Sequence, residues 1–276
     1  MAGIIVVIFI ALLLLYLFLV CPRIFHKPDR TPLCGVHYAH RGLFDNDSDA
    51  PENSLNAFQK AVDAGYGIEL DVQLSKDDVP VVFHDASLER VCGVSGNVWD
   101  YTLEELRQMR LAHSEQTIPT FEEALHVVDG KVPLIIEYKM DRPSMKVCVL
   151  CDRILKQYKG VYCMESFFPF AVRWYRKNRP EIVRGQLSAD FRRDGMNGPG
   201  QKLVTYLLSN FLARPDFIAY RHEDAKNLSR RLCRKLGALS VAWTIRSREQ
   251  YERAKDKFDL FIFDGFLLTD PVKKSS

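Results

Sequence analysis

The feature that most narrows what this chain can fold into is an alternation that runs through most of its length. Short apolar runs recur: VHYA, GIEL, VPVVF, VPLIIEY, GVYCME, IVRGQL, FIAY, LSVAWTI and FDLFIFDGFLL. Amphipathic stretches lie between them, among them NSLNAFQKAVDAG, TFEEALHVV, SMKVCVLCDRILKQYK, PFAVRWYRKNR, AKNLSRRLCRKLG and REQYERAKDKF. Strands alternating with helices predict βαβ units and a parallel sheet. Eight or so such units in about 240 residues suit an α/β TIM (β/α)8 barrel. The competing architecture is an open doubly wound sheet, but no Gly-rich phosphate fingerprint follows the first strand. Roughly 30 residues between VVFHD and TIPTFEEAL break the rhythm and predict a small insertion after the strand that leads to His84. Within it, Thr102 followed by Glu105 has the capping-box spacing of a short helix.

The N-terminus follows a different rule. AGIIVVIFIALLLLYLFLVC carries no charge, and about 20 such residues match the hydrocarbon core of a bilayer. A cleaved signal peptide needs a basic segment before the apolar run and small residues at the cleavage site. This sequence has neither, so one uncleaved transmembrane helix is expected. Arg23, Lys27 and Arg30 follow it closely, which by the positive-inside rule makes a single-pass membrane protein with its main domain in the cytoplasm. Seven cysteines in no paired spacing agree with a reducing compartment. The expected organisation is an anchor at 1–22, a linker at 23–35 and one domain at 36–276. A net charge of +3, from 38 basic and 35 acidic residues, gives no reason to expect a nucleic-acid partner. Composition says nothing of oligomeric state.

Chemistry-bearing residues fall at the ends of the apolar runs. His40 and Arg41 follow the first. In GIELDVQLS, Glu69 and Asp71 are two apart and share one face of a strand, with Leu70 and Val72 on the other. Two neighbouring inward carboxylates call for compensation, most simply by a divalent cation, unless they sit on a wet rim. His84 follows VPVVF, at what reads as the end of a barrel strand, where barrel active sites are built. Glu137 and Lys139 repeat the period-two spacing in VPLIIEYKM. They are either an internal ion pair or a third carboxylate beside an anion-binding ammonium. Together these residues offer two histidines for acid–base work near neutral pH, three carboxylates for one hard metal, and two cations for a phosphate. The reaction class that needs this set is phosphodiester cleavage.

HRG followed by PENSLNAFQKAVDAGYGIELDVQLSKDDVPVVFHDASLERVCGVSG resembles the glycerophosphodiester phosphodiesterase family, as do IPTFEEAL, PLIIEYK, VAWTI and the closing DGFLLTDP. The resemblance spans residues 36–271. It implies a TIM barrel with a small insertion after the second-histidine strand. It also implies hydrolysis of small-molecule or lipid-derived glycerophosphodiesters to an alcohol and glycerol 3-phosphate, with one divalent cation, Ca2+ or Mg2+. By motif, His40 and His84 would be the acid–base pair, and Glu69, Asp71 and Glu137 the metal ligands. Arg41 and Lys139 would meet phosphate, Trp243 would line the pocket, and Glu52 and Asn53 would stand nearby. Ser54 and Ser75 replace threonines usual in the family, and Ile245-Arg246 replaces Val-Asn. Related enzymes act on lysophospholipids in a phospholipase-D-like way, some as cyclising lyases, and a catalytically dead membrane-tethered module is the remaining alternative.

Overall fold

The computed structural model describes residues 1–140 and 144–270. The last residues of the expected domain, with the Pro271 that ends the closing motif, lie outside the described residues. All nine apolar runs form strands: β1 Tyr38–His40, β2 Gly67–Leu74, β3 Pro80–Val82, β4 Leu134–Tyr138, β5 Tyr162–Ser166, β6 Arg184–Ser188, β7 Phe217–Arg221, β8 Leu239–Ile245 and β9 Leu260–Phe263. Eight of them pair in parallel in the order β1-β2-β4-β5-β6-β7-β8-β9, and β9 returns to β1 with Tyr38 opposite Ile262. The sheet is thus a closed TIM barrel.

Period two governs each strand. On β2, Ile68, Leu70 and Val72 join the apolar layer between strands and helices, whereas Glu69, Asp71 and Gln73 alternate with them and face the barrel axis. On β4 the outward set is Leu134, Ile136 and Tyr138, which turns Ile135 and Glu137 inward. The lower interior is filled by Leu33, Tyr38, Ile135, Cys163, Val183, Leu187, Phe217, Val241 and Ile262. Polar inward residues therefore occur only toward the C-terminal mouth.

β3 corrects one expectation. It is not a barrel strand but runs antiparallel to β2, with Val72 opposite Val82. Only residues 75–79 separate β2 from β3, far too few for a parallel crossover, so the chain must fold back as a hairpin. The turn is tied by Ser75 N–H to the Val79 carbonyl and by Asp78 at φ +63°. The hairpin returns the chain to the mouth, where Phe83 N–H donates to the Asp71 carbonyl, 3.1 Å. The expected insertion follows. It folds around its own apolar cluster of Val81, Phe83, Leu88, Val91, Val98, Leu106, Leu111 and Ile118. Its helix Leu103–Leu106 starts with the expected capping box, Thr102 with Glu105. Two short helices between β6 and β7, Pro199–Thr205 and Asn210–Ala213, were not expected.

Helix α1, Ala2–Val20, is exposed apolar surface through residue 15. The segment after it is not a free tether but lies on the barrel's lower end. Lys27 Nζ donates to the Gly237 carbonyl (2.8 Å), and Arg30 Nη1 to those of Gly237 (2.9 Å) and Asp216 (3.2 Å). Leu33 closes the barrel floor, 3% exposed, and its carbonyl accepts a 2.6 Å bond from the Tyr38 hydroxyl.

Candidate active site

Parallel register brings the inward residues of the first strands side by side. His40 stands opposite Glu69, Asp71 opposite Glu137, and Glu137 opposite Glu165. One carboxylate oxygen each from Glu69, Asp71 and Glu137 lies within 4.8 Å of the others, and all three residues are buried. Glu165, which sequence reasoning passed over, is a fourth: 1% exposed, with Oε2 lacking a hydrogen-bond partner among the described residues. Its signal was the same strand-end position in GVYCMES, one strand further round.

Four carboxylates face two cations here. Lys139 Nζ bridges Asp71 Oδ1 (2.9 Å) and Glu137 Oε1 (2.8 Å). The Arg41 guanidinium donates to Glu52 Oε1 at 2.6 Å and lies 3.5 Å from Asp71 Oδ2. Burial and the charges of Asp71 and Glu137 push the Glu69 carboxyl well up, and burial also raises Glu137. For Asp71, burial acts upward, but the charges of Lys139, His84 and Arg41 outweigh it and hold the carboxyl far below its usual range. Lys139 is raised because Asp71 and Glu137 overcome its own burial. The cluster thus sets four buried carboxyls, all hard oxygen donors, against two cations, and the raised Glu69, Glu137 and Glu165 carboxyls mark a crowding of acidic groups that a bound cation would offset. That donor set and charge fit one divalent cation of the Ca2+ or Mg2+ kind.

Two histidines flank the acidic centre, each gripped by an aspartate. His40 Nδ1 donates to Asp264 Oδ2 at 2.7 Å, which leaves Nε2 as the ring nitrogen 4.0 Å from Glu69 Oε2. Asp264, just past β9, was also missed by sequence reasoning. Burial lowers His40 to about 4, against the Asp264 hydrogen bond and with help from the Arg41 charge. His84 Nδ1 is 2.5 Å from Asp85 Oδ1. Arg90, from the insertion, holds Asp85 through Nε (2.6 Å) and Glu52 through Nη1 and Nη2 (2.8 and 2.7 Å). These Arg90 bonds and the Arg41 charge overcome burial and bring Glu52 down to about 2. The insertion is therefore wired to both His84 and Arg41.

The backbone turn after β1 is tight. Arg41 sits at φ +58° and Gly42 at φ +84°, and a Cβ on Gly42 would meet the Ala57 backbone at 2.8 Å. The turn aims the Arg41 N–H at Glu69 Oε2, 3.2 Å. Asn53, as expected, is adjacent: its Nδ2 donates to Asp71 Oδ2 at 2.9 Å. Trp243 is half-buried on β8, its Nε1 without a hydrogen-bond partner among the described residues. Its ring meets Phe167 edge-on at 5.6 Å, and Phe167 meets Phe191 at 5.7 Å. The centre opens into two clefts. One of about 480 Å³ includes His84, Glu137, Lys139 and Phe167. The other, of about 720 Å³, includes His40, Arg41, Glu52 and Asp264. The loop aspartates 45, 47 and 49 stay outside the cluster, and Asp49 pairs on the surface with Lys60.

A barrel mouth of this kind suits cleavage of an anionic ester, and comparison with known proteins narrows the class to phosphoric diester hydrolases. The profile of the glycerophosphoryl diester phosphodiesterase family matches residues 40–257, and the chain belongs to that family. A glycerophosphodiester phosphodiesterase of Bacillus altitudinis is 32% identical over 165 residues, 55% of this chain and 66% of that protein. One from Caldanaerobacter subterraneus is 28% identical over 246 residues, 84% of this chain and 93% of that protein. The solved structure of an Oleispira antarctica phosphodiesterase, in complex with the product sn-glycerol-3-phosphate, superposes with a TM-score of 0.67 at 24% identity. It covers 84% of this chain and 93% of that one and bears out the fold.

Proposed function

We propose that this chain is a membrane-anchored, divalent-cation-dependent phosphodiesterase that hydrolyses glycerophosphodiesters to an alcohol and glycerol 3-phosphate. The observation that carries the reading is the buried Glu69–Asp71–Glu137 oxygen cluster set between two aspartate-held histidines. Glu69, Asp71 and Glu137 would hold the cation, and Ca2+ or Mg2+ bound there would supply charge stabilisation at the phosphoryl oxygens. Arg41 and Lys139 turn from their carboxylates toward the phosphate, Arg41 as a fork and Lys139 as a point charge. His40 serves as the base. Its Nδ1–H is committed to Asp264, so Nε2 accepts a proton from the water whose oxygen forms the new bond to phosphorus. As the phosphorus–oxygen bond to the leaving alcohol breaks, His84 gives that oxygen its proton, with Asp85 orienting the ring. The proton taken by His40 and the proton given by His84 balance over the turnover. Trp243 and Phe167 wall the pocket. The Oleispira relative's product, sn-glycerol-3-phosphate, supports this substrate class.

The assay that tests the reading is turnover of glycerophosphocholine, glycerophosphoethanolamine and glycerophosphoglycerol with and without EDTA. Chelation is expected to remove activity, and Ca2+ or Mg2+ to restore it. Full turnover in excess chelator would defeat the three-carboxylate site. A second reading, phospholipase-D-like action on lysophospholipids, is favoured by the Trp243–Phe167–Phe191 aromatic wall. A cyclic phosphate product would mark a lyase, a linear one a hydrolase. Helix α1 is proposed as a single transmembrane anchor, its length and apolar surface supporting this, with the domain of residues 36–276 on the cytoplasmic side by its flanking cations.

A further inference from the structure

Helix α1 runs along the barrel wall in a direction that its contacts fix. Tyr16 Oη is 3.0 Å from Ser229 Oγ, in the first turn of helix Leu228–Lys235. Further along both helices, Cys233 Sγ donates to the Val20 carbonyl, 3.4 Å. Arg214 Nη1 then donates to the Cys21 carbonyl at 2.7 Å, and Arg23 N–H to the Pro215 carbonyl at 3.0 Å, just ahead of β7. A helix that follows a barrel strand starts at the catalytic rim and descends. Helix α1 descends in parallel with it, so its earlier residues rise past the rim on the catalytic side.

The lengths then matter. Residues 2–15 are exposed throughout and span about 21 Å at 1.5 Å per residue. A hydrocarbon core is ~30 Å thick. The bilayer can enclose the apolar helix only by thinning or by reaching down to the level of Tyr16 and Ser229, which is the rim itself. That part of the rim has the surface for it. Leu228 is 72% exposed, Leu203 48%, Met196 43% and Tyr206 36%. Lys202, Lys226 and Arg231 stand exposed among them. The elements are joined: Asn227 Nδ2 and the Tyr220 hydroxyl both donate to the Thr205 carbonyl, at 3.2 and 2.8 Å. Apolar tips interleaved with cations and a tyrosine suit the headgroup layer.

We propose that the rim carrying Met196, Lys202, Leu203, Tyr206, Lys226 and Leu228 seats in the headgroup layer of the phospholipid bilayer that receives α1, so that the catalytic mouth opens onto that surface. This rests on the anchor reading given above. The patch is continuous with the site. Arg192 lies over the Tyr206 ring at 5.6 Å, and its neighbour Phe191 reaches Phe167 and Trp243.

The test uses full-length protein in phosphatidylcholine–phosphatidylserine vesicles. A bimane label is placed on Leu203→Cys, Leu228→Cys or, at the opposite end of the barrel, Gln157→Cys. Labelled wild type supplies the background from native thiols, and the quencher is phosphatidylcholine brominated high on its acyl chains. Labels at 203 and 228 are expected to lose fluorescence and the label at 157 to keep it, in protein that resists carbonate extraction. Carbonate-resistant protein with 203 and 228 unquenched would overturn the rim proposal and leave the anchor standing. Release by carbonate without quenching at any position would overturn both. Quenching at 157 alone would invert the geometry.

Discussion

At the scale of the residue, the chemistry turns on which ring nitrogen of each histidine is left free. His40 and His84 both present Nδ1 to an aspartate. His40→Ala and His84→Ala are each expected to lower kcat by ~10²–10⁴-fold with an unchanged circular dichroism spectrum; near-normal turnover in either variant would remove it from the acid–base pair. The pH dependence has a definite sign. Burial lowers His40 to about 4, so its neutral, proton-accepting form persists as pH falls from neutrality and is lost only near the lowered value. The acid limb of kcat/KM is therefore expected below the ordinary histidine value of about 6.5. A limb at or above that value in a kcat/KM–pH profile would count against His40 as the base. The strand-end histidines and the period-two carboxylates were legible because each repeats a pattern visible within a few residues. Asp264 and Glu165 were not, since each is a single carboxylate in an apolar run. Only barrel closure gives Asp264 its histidine, and only the β4–β5 register gives Glu165 its place beside Glu137.

At the scale of the element, the turn after β1 shows how tightly local backbone serves the site. A Cβ on Gly42, which sits at φ +84°, would meet the Ala57 backbone at 2.8 Å. Gly42→Ala is expected to destabilise by ~1–3 kcal/mol, seen as a lower midpoint in thermal unfolding; an unchanged midpoint would show that the turn relaxes freely. The strands were all readable as apolar runs, but direction is not written in an apolar run. β3 looked like its neighbours, and only the five-residue link before it excludes a parallel crossover. The helices Pro199–Thr205 and Asn210–Ala213 escaped notice because they are short and lie among Gly198, Pro199, Gly200 and Pro215. Such punctuation reads as loop when the tertiary support is unseen.

At the scale of the whole molecule, the stretch between α1 and β1 belongs to the barrel. Leu33 closes the floor and receives the Tyr38 hydroxyl at its carbonyl. Leu33→Ala is expected to cost ~2–5 kcal/mol, measured by chemical denaturation. An effect below that of an exposed substitution would show the floor to be dispensable. The sequence marked residues 23–35 as a linker by their prolines and cations, a pattern equally compatible with a strap laid over carbonyls. Closure has one further consequence, for how the parts of the site are distributed along the chain. By residue 139 the chain already holds both histidines, the Glu69, Asp71 and Glu137 carboxylates and both cations. Asp264 arrives only with the final strand. The pairing of β9 with β1 that closes the barrel also delivers the carboxylate that steers His40, so closure of the sheet and orientation of the ring are one event.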